Sequence, residues 1–120
     1  MIGVKMIYNN EFWAALDSLV EQSEIIIDRP KGTVHPKYPN LLYKVDYGYL
    51  KGTSSMDGNE IDVWRGSNSV AYIDAIICTV DLTKRDSEIK ILIGCNEEEK
   101  EKVYQTHNSS KDMKGIMIRR

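Results

Sequence analysis

Cysteine is nearly absent from this chain. The two present, Cys78 and Cys95, belong to no CxxC pair and no Cys/His cluster. That argues against a disulfide scaffold or a thiolate metal site and leaves reduced thiols, with Cys78 set in an apolar run. Basic excess is missing too: the formal net charge is −2, with acids and bases interspersed. Nucleic-acid binding draws on a concentrated basic face that displaces counterions, so no nucleic-acid partner is expected. No apolar run approaches the roughly 20 residues of a membrane span. Met1 to Tyr8 is too short for a leader and is interrupted by Lys5, and the Asn108-Ser-Ser sequon carries no weight without secretion. The expected setting is the cytoplasm, with no membrane contact. Proline is limited to three residues, Pro30, Pro36 and Pro39, which fall together where strand character stops.

What is present suits one soluble domain spanning 1–120. At 42% hydrophobic and 28% charged residues, the chain has enough apolar surface to bury a core without staples. Asn9-Asn10-Glu11 reads as a capped helix start, and Phe12, Trp13, Leu16, Leu19 and Val20 recur at helical spacing. From Ile25 the period shortens. Ile25 to Ile27, Leu41 to Val45, Tyr47 to Gly52, Glu60 to Arg65, Val70 to Leu82 and Glu88 to Ile93 have strand character between turn signals. Asn96 caps a charged helix from Glu97 to about Thr106, and Gly115 to Ile118 forms a last short strand. The fold expected is mainly β with flanking helices (α+β): a small five- to six-stranded, OB-like antiparallel barrel, closed or nearly closed. An N-terminal helical extension (1–23), a barrel (24–94) and a C-terminal helix and strand (95–120) make up its parts.

The chemistry gathers between Tyr43 and Asp62. Tyr43, Tyr47 and Tyr49 project to one face by their odd spacing, and Asp62 lies inside a strand otherwise suited to burial. An acid there costs stability unless paired or bound to metal, and hard cations such as Mg²⁺ take oxygen ligands of this kind. Each piece also has a structural reading. Asp57-Gly58 is a strong hairpin-turn signal, the tyrosines suit a packed strand face, His35 suits a loop cap, and Lys90 suits an ion pair with a neighbouring acid.

Taken in order, these motifs resemble the soluble Mg²⁺-dependent inorganic pyrophosphatases of the OB-barrel type, in a short minimal form. That family's acidic signature appears as Asp57-Gly58-Asn59-Glu60-Ile61-Asp62-Val63, with its second acid replaced by Asn59. Its tyrosine motif appears as Tyr43, Tyr47, Gly48 and Tyr49; Asp28, Pro30, Lys37 and Tyr38 match its upstream spacing, and Asp86, Glu88 and Lys90 its downstream group. The resemblance implies hydrolysis of pyrophosphate to two phosphates by a metal-activated water, with Mg²⁺, or Mn²⁺, as cofactor. It implies metal ligation by Asp57, Asp62, Asp86, Glu88 and Asp28. It implies catalytic roles for Asp57, Asn59, Asp62, Tyr47 and Lys90, and substrate contacts from Lys37, Tyr43, Tyr47 and Lys90. A homo-oligomer is expected, and the N-terminal helix offers a dimer contact. The segment from Lys37 to Tyr43 is shorter than in the family, and Lys102 and Tyr104 are unmatched counterparts of its C-terminal Tyr-Lys pair. Two alternatives stand beside this reading: a catalytically impaired relative that binds phosphate or nucleotide, and a hydrolase for another small phosphate ester.

Overall fold

The computed structural model describes residues 8–120. Residues 1–7, with the leader reading and the start of the helical extension, lie outside it. Helix α1 (Asn10–Glu21) begins where the sequence places it: the Asn9 side-chain oxygen accepts a hydrogen bond from the Glu11 N–H at 2.8 Å. Six strands follow, β1 (Ile25–Arg29), β2 (Asp46–Leu50), β3 (Ile61–Arg65), β4 (Ile73–Asp81), β5 (Asp86–Ile93) and β6 (Met113–Arg119), with α2 (Glu97–Thr106) between the last two. A capping box closes the start of α2: Asn96 accepts from the Glu99 N–H, and the Glu99 carboxylate accepts from the Asn96 N–H.

The strands form one sheet in the order β1-β2-β3-β5-β4-β6. The architecture is mainly β with two helices. Two features differ from an all-antiparallel closed barrel. Strands β1 and β6 are the two edges and do not pair, and β3 runs parallel to β5, with Val63 opposite Ile91 and Trp64 opposite Leu92. The stretch Leu41–Val45 is not a strand. Its backbone bonds go to a neighbouring loop, Gly32 N–H to the Tyr43 carbonyl at 2.8 Å and Tyr43 N–H to the Thr33 carbonyl at 2.9 Å, with one isolated bridge between Val34 and Leu42.

Alternating side chains give the sheet two different faces. On one, Trp13 of α1 seals Leu50, Val63, Ile73, Ile76, Ile91 and Ile93. On the other, Val103 of α2 and the loop residues Tyr43 and Val45 cover Trp64, Ala75, Ile77, Leu92 and Cys95. Gly48 in β2 permits the close β1–β2 approach, because a Cβ there would run into the Ile26 carbonyl. Both cysteines are free, Cys95 buried and Cys78 half-buried, and burial pushes the Cys95 thiol up to about 12. No helix among the described residues is long and apolar enough to cross a membrane.

Candidate active site

The parallel pairing of β3 with β5 brings an acid beside a base. Because Val63 faces Ile91, the preceding residues Asp62 and Lys90 are neighbours on the α2 side of the sheet. The Lys90 ammonium, only 5% exposed, donates to the Asp62 carboxylate at 2.7 Å, to the Tyr47 hydroxyl at 2.9 Å and to the Glu88 carboxylate at 3.1 Å. An ammonium carries three N–H groups, and all three are engaged. Burial opposes the charge, but Tyr47 and Asp62 outweigh it and hold Lys90 above its ordinary value.

Tyr47 lies at the inner end of this group. Burial keeps its phenol protonated well above the usual range. Its oxygen accepts from Lys90, and its own hydrogen has the Asp62 carboxylate as a neighbouring acceptor. The ring is fixed by aromatic neighbours: Trp64 edge-on at 4.5 Å and Tyr43 at 5.4 Å between centroids. Trp64 is tethered from behind, its indole N–H donating to His107 Nε2 at 3.1 Å. Burial drives the His107 pKa down to about 3, so the imidazole is neutral, its second nitrogen 3.3 Å from the Met113 sulfur.

A second set of acids converges next to the first. Oxygens of Asp57, Asp86 and Glu88 lie within 4.8 Å of one another, and Glu88 belongs to both sets. Asp57 sits in the turn before β3, where Gly58 takes φ +83°, a left-handed conformation natural to glycine. The Ser55 hydroxyl donates to Asp57 at 2.6 Å and the Asn59 N–H at 2.9 Å, and these bonds, Ser55 first, hold its carboxyl well below the usual range. Burial pushes Glu88 the other way, with the nearby Asp57 and Asp62 adding to the shift against the pull of Lys90. Three carboxylates meeting at one point, one deprotonated at any ordinary pH, form an oxygen donor set that fits a hard divalent cation. The Asn59 side-chain amide donates to Asp57 at 3.5 Å.

The remaining expected site residues are placed differently. Asp62 is committed to Lys90 and lies outside the three-acid group. Asp28 is exposed on edge strand β1, as the extra residue of a β-bulge: Ile27 faces Gly48 and Arg29 faces Tyr47, leaving Asp28 unmatched. Lys37 is exposed in the loop before β2, where its N–H donates to His35 Nδ1 at 3.0 Å. Tyr43 is buried behind Tyr47, with His35 stacked against it at 6.4 Å and Tyr38 beyond His35 at 4.7 Å. An open hollow of about 510 Å³, lined in part by Met56, Leu82 and Arg85, reaches the group only through Asp86. Sequence reasoning overlooked Ser55, Trp64, His107 and Arg29. The two-residue spacing of Asp62 and Trp64 was a usable signal for one of them. The contact of Trp64 with His107 and the bulge that aims Arg29 depend on partners remote in sequence.

Comparison with known proteins bears on this geometry. A family model described as inorganic pyrophosphatase matches residues 20–119. Among solved structures, the chain is similar to an inorganic phosphatase from Anaplasma phagocytophilum, with a TM-score of 0.54 and 11% identity over 79% of this chain and 81% of that one. At that identity the likeness speaks for the fold. No curated protein matches the sequence.

Proposed function

Because the chain belongs to the inorganic pyrophosphatase family, we propose that it hydrolyses pyrophosphate to two phosphates with Mg²⁺ as cofactor and Mn²⁺ as a substitute. The observation that carries this reading is the adjacency of two charged groups sharing Glu88: Lys90 held by Tyr47, Asp62 and Glu88, and the carboxylates of Asp57, Asp86 and Glu88 converging beside it. Asp57, Asp86 and Glu88 would hold the metal, with Asp62 and Asp28 as further ligands toward the substrate. Bound there, a divalent cation supplies charge neutralisation of the substrate and acidification of water.

The chain's own residues do the rest. Tyr47 donates its hydroxyl hydrogen to a phosphoryl oxygen, turning it from Asp62, and the Lys90 charge behind it stabilises negative charge moving to the leaving phosphate. Lys37, in the loop packed against Tyr43, approaches the substrate from outside, and Tyr43 fixes the ring of Tyr47 and lines the phosphate side. Water attacks phosphorus as the bridging P–O bond breaks. Asn59 is uncharged and cannot take the attacking water's proton, which passes to bulk solvent instead.

The test is phosphate release from pyrophosphate by purified protein as Mg²⁺ is raised from zero, with Mn²⁺ in parallel. Metal-dependent release is expected. Absence of release at every metal concentration would overturn the reading. One observation favours a second reading, a phosphate-binding relative without turnover: position 59 offers Asp57 an amide donor where catalysis calls for an acid. Bound but uncleaved pyrophosphate would select it. Self-association is part of the proposal, supported by the exposed apolar row of Val80, Ile89 and Ile116 on three adjacent strands. A monomer by light scattering would remove that part alone.

A further inference from the structure

The bulge in β1 has a consequence for anion binding. In an unbroken ladder the residue after Ile27 would stand opposite Tyr47. The extra residue Asp28 advances the register by one, so Arg29 takes that place. A half-buried arginine is thereby set across from the tyrosine that carries the Lys90 hydrogen bond. Arg29 is also close to the Tyr43 hydroxyl, where it offsets part of the effect that burial has on that phenol.

The charges explain why this placement matters. Each N–H of Lys90 is already donated to a protein oxygen. Asp57, Asp62, Asp86 and Glu88 make the surroundings of that lysine strongly negative. A diphosphate approaching such a group requires a cation with donors to spare. Among the described residues Arg29 has no carboxylate partner. Its planar fork carries five N–H donors, a geometry that matches phosphate oxygens two at a time. In the neighbouring loop His35 is stacked between Tyr38 and Tyr43, and burial, then the nearby charges of Arg29, Lys37 and Lys84, lower its pKa.

We infer that Arg29 is a phosphate-binding residue of the site, gripping the phosphoryl group on the Tyr43 side while Lys90 stays with its protein partners. The inference rests on the diphosphate reading above and adds to it a residue that no motif supplies.

The experiment is equilibrium binding of inorganic phosphate by calorimetry, in Mg²⁺, to the wild-type chain, Arg29→Gln, Arg29→Lys and Lys31→Gln. Lys31 is the control: its substitution removes the same charge from an exposed loop position two residues away. Arg29→Gln is expected to weaken phosphate binding about ten-fold or more, Arg29→Lys by about three-fold, and Lys31→Gln by less than about two-fold, because charge-assisted, bidentate bonds are the strong ones. Equal losses in Arg29→Gln and Lys31→Gln would reduce the effect to net charge and overturn the inference, as would phosphate binding by Arg29→Gln at wild-type strength. Should Arg29→Gln fail to fold, Arg29→Lys decides: it keeps the charge and loses the fork, and wild-type affinity in it overturns the inference. Binding is read without turnover, so the two claims fail separately. A wild-type chain that binds phosphate through Arg29 yet cleaves no pyrophosphate overturns the activity and leaves this residue assigned.

Discussion

The two faces of the sheet solve opposite problems with the same strands. On the α1 face, Trp13, Leu50, Val63 and Ile91 close on each other as an apolar core, with the Arg120 guanidinium over the Trp13 ring. On the α2 face, Leu92 and Trp64 begin the same kind of core, but two residues along each strand the apolar row gives way to Lys90 and Asp62. The first face contributes stability by area removed from water. The second holds a buried charge that is tolerable only because its partners are complete, an arrangement that adds little net stability and loses much when one partner goes. The comparison teaches where to expect function and folding to separate: substitutions on the α1 face should unfold the protein, and those on the α2 face should disable it.

The sharpest way to break the comparison is Lys90→Met. It leaves Asp62 and Glu88 facing each other without a cation, and we expect turnover to fall by about a thousand-fold with a stability loss of about 3 kcal/mol, read by phosphate release and urea unfolding. Next in size is Trp13→Ala on the opposite face. It should cost about 3–5 kcal/mol of stability while the remaining folded molecules keep their rate. A rate loss beyond the folded fraction would show that the faces are coupled.

A third test uses acid. His107 is neutral in the fold, with its pKa near 3, and ordinary at 6.5 when unfolded. Its contribution to stability is therefore whole above about pH 6.5 and is lost as pH falls, by about 1.4 kcal/mol per unit, down to the folded value. His107→Gln retains an acceptor for Trp64 and should flatten urea-derived stability between pH 6 and 4 by that slope; an unchanged slope assigns the acid sensitivity elsewhere. The smallest expected effect is Asn59→Asp, which restores an acid beside Asp57. Metal binding and turnover should rise by up to about ten-fold, and unchanged kinetics would remove position 59 from the reaction.

The legible parts of this molecule were those that depend on neighbours in sequence. Asn9 and Asn96 announce their helices because a cap acts within three residues. The alternation Asp62–Trp64 and the motif acids announce a charged strand face. Partners far along the chain were not legible. The parallel match of β3 with β5 is set by which strands the long β4–β5 hairpin can reach, and nothing near Asp62 specifies it. The strand expected at Leu41–Val45 fails because Tyr43 finds its backbone partners in Gly32 and Thr33. The bulge at Asp28 exchanges an expected acid for Arg29 opposite Tyr47, a one-residue slip that strand periodicity alone does not reveal.

The parallel β3–β5 pair also sets when the site comes into being. Tyr47, Asp62, Glu88 and Lys90 come from three strands, and the ion pair that joins them spans 28 residues of chain. Loop-closure entropy has to be overcome before any of these contacts can form. A fragment ending before Lys90 lacks the ammonium that joins Tyr47, Asp62 and Glu88. During refolding, regained phosphate release should therefore trail the return of helix signal, and its amplitude would count only the molecules whose long-range pairing is complete.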